Sequence, residues 1–139
     1  MIYPINHDQQ VLQQPARPAT SADRQLAEAL VATLTAHQDH CIGMAANMIG
    51  FPVSIIAVSL GPVNVAMLNP RLVKKAHPYQ TKEGCLSLTG TRSTTRFERI
   101  TVAYQDLTGA QQELELTGLA AQAAQAVQHE CDHLRGILI

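Results

Sequence analysis

Gln128-His129-Glu130-Cys131-Asp132-His133-Leu134 closes a stretch, Leu119 to Leu134, made of Ala, Gln, Val and His with no Pro or Gly, and Gly136 stands where a helix would stop. This composition predicts a helix over 119–134. At 3.6 residues per turn, positions i and i+4 lie about 40° apart, so His129 and His133 share a face and can reach one cation. Glu130 lies about 100° round from His129, at the edge of that face, where it can meet a water at the metal without ligating. The H-E-x-D-H pattern in a helical setting favours this reading over a solvated face that matches by chance.

Two imidazoles do not complete a site, because a catalytic zinc-type centre uses three protein ligands and one open position. Only Leu134-Arg135-Gly136-Ile137-Leu138-Ile139 follow His133, and none of them can ligate, so the third ligand is expected upstream. The candidates are Cys41, Cys85, Glu83, His7, His37, His40 and His77. Cys131 lies about 200° round the helix from His129, which turns it away from the metal and leaves it a small buried residue. Cys85 leads, because in Lys82-Glu83-Gly84-Cys85-Leu86-Ser87-Leu88 the glycine permits close approach just before an apolar, strand-like run. The other histidines, His7, His37, His40 and His77, have no ligand-spaced partner and read as surface groups.

Outward from this region the chain reads as strands. Val53–Leu60, Val63–Leu68 and Leu72–Ala76 are β-rich runs separated by Gly61-Pro62 and Asn69-Pro70. Ile100, Val102 and Tyr104 alternate with polar or small residues, Asp106-Leu107-Thr108-Gly109 is turn chemistry, and Leu114 and Leu116 alternate with Glu113 and Glu115, which predicts a hairpin. Thr20-Ser21-Ala22-Asp23 starts a helix whose face is Leu26, Leu30 and Leu34, running to about His37. Residues 1–20, with Pro4, Pro15 and Pro18, read as an extended arm, and His40–Gly50 as a buried loop or short buried segment. Strands followed by a late helix predict an α+β fold, with mostly antiparallel sheets packed around the C-terminal metal-binding helix.

The 139 residues, 46% apolar, suffice for one sizeable core, so a single domain over 1–139 is expected. Ten Lys and Arg against eleven Asp and Glu leave no electrostatic footprint for nucleic acid or an anionic membrane. The N-terminus carries no signal-peptide pattern and no stretch is long enough to span a membrane, so a cytoplasmic location is expected. Three cysteines in such a chain read as thiols.

Glu83-Gly84-Cys85-Leu86-Ser87 and Gln128-His129-Glu130-Cys131-Asp132-His133-Leu134 together resemble the peptide deformylases, whose motifs run G-x-G-x-A-A-x-Q, E-G-C-L-S and H-E-x-D-H in that order. The resemblance implies hydrolysis of the N-formyl group from the N-terminal methionine of nascent peptides. It implies one divalent metal, Fe(II) first and Zn, Ni or Co as alternatives, held by Cys85, His129 and His133. Glu130 would act as general base and acid, and the Leu86 backbone N–H as an oxyanion donor. Ile42, Gly43, Leu86 and Ala126 occupy positions that line the methionine pocket. Glu83 matches a position paired with an arginine, for which Arg96 or Arg92 is available and Arg96 is preferred. The partner is an N-formylmethionyl peptide, with the enzyme a monomer or weak homo-oligomer.

The first motif departs from the pattern. Cys41 stands at its first glycine and Met48 at its glutamine, whose side chain in the family resembles an oxyanion donor. Methionine has no donor, so the departure implies slow turnover. It also leaves a second reading, a deformylase-like protein that keeps the metal with little or no turnover. Asn47, next to Met48, is shorter and expected to point the other way.

Overall fold

A computed structural model describes residues 2–118 and 121–139, so the expected helix start at Leu119 lies outside the described residues. Three α-helices occur among these: α1 (Gln9–Leu12), α2 (Arg24–Ala36) and α3 (Ala121–Leu134). Five strands, β1 (Gly43–Ala45), β2 (Ile55–Ser59), β3 (Asn64–Cys85), β4 (Leu88–Gln105) and β5 (Gln111–Leu116), form one sheet in sequence order. Every neighbouring pair is antiparallel. The α+β class and the central late helix are as the sequence predicts, with a single sheet in place of several.

The run Ile55-Ile56-Ala57-Val58 is buried on both faces of the sheet. Continuous rather than alternating burial means both faces are covered, and here α2 and α3 both pack on β2. Helix α3 touches every strand of the sheet. Its Ala123, Ala124 and Val127 join the core with Ile100 and Val102 of β4. Gln128 lies among these apolar neighbours because its carboxamide pairs with the backbone of Phe97, accepting from its N–H at 2.8 Å and donating to its carbonyl at 2.9 Å. A buried amide satisfied in this way pins helix to strand.

At the start of α2, Thr20 accepts from the Ala22 N–H while Asp23 accepts from the Thr20 N–H at 2.8 Å. This reciprocal cap satisfies donors that a helix start otherwise leaves unpaired. Three expectations need correction. The arm is not wholly extended, because Asp8 caps the short α1 and Leu12 is fully buried. Asn69-Pro70 does not end a strand. The proline is absorbed by a bulge in β3, Asn69 takes a positive φ of 51°, and its carboxamide bonds both Ala19 and Gln105. Finally, the apolar run after Gly84 is not one strand: Cys85 ends β3, Leu86-Ser87 form the turn, and Leu88, paired with Cys85, starts β4.

Candidate metal centre

The turn at the tip of the β3–β4 hairpin lies against α3, and this brings the third ligand to the first two. The ligand atoms of Cys85, His129 and His133 lie within 4.8 Å of one another, the group of this kind found among the described residues. Cys41, His7, His37, His40, His77 and Glu83, the other upstream candidates, are outside it. The two imidazoles meet edge on, with Nε2 of His129 and Nε2 of His133 3.0 Å apart. Their titration reflects this encounter. Burial lowers the basicity of His129, but the charges of Glu130, Cys85 and Glu83 outweigh it and raise its pKa to about 10. Burial and the neighbouring His129 push His133 down to about 3. The two Nε2 atoms converge beside the Cys85 sulfur, and a divalent cation fits that donor set.

Which nitrogen of His129 faces the cluster is decided by Glu83. The Nδ1–H of His129 donates to Glu83 Oε1 at 2.7 Å, which leaves Nε2 for a metal. Glu83 is itself held by three bonds from Arg96, the shortest 2.7 Å, and one from Gln125 at 2.7 Å. Burial favours its neutral form, yet these hydrogen bonds prevail and hold its pKa at about 2. Arg96 also reaches Asp132 at 2.7 Å. Arg96, not Arg92, is therefore the partner of Glu83, although Arg92 lies opposite Glu83 in the register. Gln125 and Asp132 were missed from sequence. Helical spacing could have found both, since Gln125 lies one turn before His129 on its face and Asp132 lies three residues after it.

Beside the cluster opens a cavity of about 690 Å³. Ile42, Gly43, Leu86 and Ala126, the four expected pocket residues, all line it, as do Cys85, His129, Glu130 and Met48. Ile42 is 37% exposed, an apolar side chain at the cavity mouth. Glu130 is buried and its Oε1 has no hydrogen-bond partner among the described residues. Burial is the largest influence on it and lifts its pKa to about 7, against the opposing charge of His129. Gly43 makes room for this carboxylate, for a Cβ there would lie 3.1 Å from Glu130 Oε2 and 3.2 Å from Ala126 Cβ.

Met48 is buried in the turn after β1, and its sulfur accepts from the Ala45 N–H at 3.4 Å. Cys41 lines the same cavity, where burial and the charge of Glu130 push its thiol up to about 11. Cys131 faces the other side of α3 as expected. It lines a separate cavity, and burial raises its thiol to about 12. His7 is exposed, and its Nδ1 lies 3.1 Å from the Ser87 carbonyl oxygen at the hairpin turn.

Three converging soft and imidazole donors, a carboxylate that fixes one imidazole, and a buried acid beside an open cavity define a mononuclear metal hydrolase. Comparison with known proteins narrows the class. A family model described as polypeptide deformylase matches residues 2–139. A peptide deformylase of Clostridium beijerinckii is 42% identical over 139 residues, which cover all of both chains. Among solved structures, the peptide deformylase of Thermotoga maritima superposes with a TM-score of 0.85 at 30% identity, over 99% of this chain and 95% of that one. That of Thermus thermophilus gives 0.85 at 35% identity, over 99% and 84%. The chain belongs to the polypeptide deformylase family. It is accordingly a metal-dependent hydrolase whose reaction is removal of a formyl group.

Proposed function

We propose that this chain cleaves the formyl group from N-formylmethionyl peptides as they leave the ribosome, in the cytoplasm, as a monomer or weak homo-oligomer. Cys85, His129 and His133 would hold one divalent ion, Fe(II) in the first place. The observation that carries the reading is the convergence of these three donor atoms, all within 4.8 Å of one another, beside the unpaired oxygen of buried Glu130. Such an ion supplies Lewis acidity toward the formyl oxygen and a water activated at neutral pH.

The remaining chemistry falls to the protein. Glu130 takes the proton of the attacking water and passes it to the amine as the C–N bond breaks, releasing formate and a free N-terminus. A pKa lifted toward neutrality by burial suits a group that must both accept and return a proton. The backbone N–H of Leu86, in the turn beside Cys85, stabilises charge on the formyl oxygen. Ile42, Gly43, Leu86 and Ala126, which line the cavity, hold the methionine side chain there.

A continuous assay on formyl-Met peptides, with protein loaded anaerobically with Fe(II), tests the reading. Turnover above background is expected, and a fully loaded protein without it would contradict the proposal. Two variants sharpen the assignment. Gly43→Ala should displace Glu130 by a few tenths of an ångström and lower kcat by about tenfold with metal content unchanged. An unaltered kcat would mean that Glu130 tolerates the shift.

Arg96→Ala removes the cation that Glu83 and Asp132 share, leaving buried carboxylate charge uncompensated at a cost of about 3–5 kcal/mol. Because Glu83 then no longer fixes His129, metal affinity should fall by about 10–100-fold. Metal analysis after dialysis reads this directly, and full retention would separate the Arg96 network from the metal.

A further inference from the structure

Asn47 is fully buried in the turn that follows β1, and its Nδ2–H donates to the backbone carbonyl of His133 at 2.8 Å, 86 positions along the chain. His133 lies in the last turn of α3, where carbonyls lack partners within the helix. Its oxygen also accepts from the Gly136 N–H at 3.0 Å, so Asn47 occupies the second lone pair rather than rescuing an unbonded group. The turn carrying Asn47 is in turn fastened to the N-terminal arm. Asn6 donates from Nδ2 to the Asn47 carbonyl at 3.2 Å and from its backbone N–H to the Met48 carbonyl at 2.6 Å.

The two imidazoles are held differently. His129 is oriented through its ring, by Glu83 on Nδ1. The Nδ1 of His133 is buried with no partner among the described residues, so no described side chain comparable to Glu83 fixes this ring. Its placement depends on where the end of α3 is held, and Asn47 is the side chain that ties that carbonyl to β1 and its turn. We propose that Asn47 is a positioning residue for His133, acting through the His133 backbone to set the geometry of the metal site, with Asn6 of the arm bracing it. This inference rests on the metal-site reading of Cys85, His129 and His133.

The probe is Co(II) added to metal-free full-length protein, followed by thiolate-to-cobalt absorption in competition with a chelator, alongside thermal unfolding of the metal-free form. Asn47→Leu keeps the number and branching of the side-chain heavy atoms and removes the orphaned Oδ1 as well as the donor. It should melt near the wild type when metal-free, yet bind Co(II) about 10–100-fold more weakly. Asn6→Ala should shift affinity in the same direction by less. Wild-type affinity in a folded Asn47→Leu would overturn the proposal.

If that variant does not fold, Asn47→Ser and Asn47→Ala decide. Serine keeps a hydroxyl donor and should retain more affinity than alanine, whereas equal values would overturn the assignment. Absence of the thiolate band in the wild type would instead remove the metal-site reading on which it stands. A purely structural role for Asn47 would lower the melting temperature without a separate loss of Co(II) affinity.

Discussion

Glu130→Gln should lower kcat/KM for a formyl-Met peptide by about 10²–10⁴-fold while the protein stays folded and keeps its metal. Glutamine has nearly the shape of glutamate, so the close packing around Gly43 and Ala126 is preserved. It cannot accept the proton of the attacking water, and it places no charge beside His129. The carboxylate oxygen that has no partner among the described residues is the atom whose chemistry disappears. Steady-state kinetics together with metal analysis of the same preparation checks this outcome. Comparable turnover by the two proteins would show that another group moves the proton.

Met48→Gln should act in the opposite direction. Met48 lines the same cavity as Glu130 and Cys85, folded back so that its sulfur accepts from the Ala45 N–H. A glutamine there could accept from the same N–H with its oxygen and turn its NH₂ toward the formyl oxygen. One added oxyanion donor is worth up to about 10²–10³ in rate, so a rise in kcat of this order is the upper bound. The gain should appear in kcat rather than KM, because the donor is aimed at charge that develops during reaction. Equal rates for the two proteins would mean that Leu86 and the metal already supply the stabilisation, and that Met48 does not slow the enzyme.

The helix and its ligands were legible because helical geometry converts spacing into direction. His129, Glu130 and His133 occupy the positions their spacing implies, and Cys131 faces away for the same reason. Cys85 could be ranked above its rivals but not placed, since only the fold sets the hairpin tip against α3. The apolar run after Gly84 is broken by a turn at Leu86-Ser87, which its local apolar character concealed.

The long β3–β4 hairpin was largely invisible between residues 77 and 99. Its polar, exposed positions carry little periodicity, and its bulges disrupt what remains. The choice of Arg96 over Arg92 was likewise a matter of three-dimensional reach, because both lie on the same strand. Asn47 carried no local signal at all, for its partner is a backbone carbonyl at the far end of the chain.

The most direct test of the account is release of formate from a formyl-Met peptide by the wild-type protein, prepared metal-free and then loaded anaerobically with Fe(II). Turnover should rise in proportion to bound metal up to one ion per chain and vanish when a chelator removes it. Full occupancy of the Cys85, His129 and His133 site with no formate above the Glu130→Gln background would contradict it.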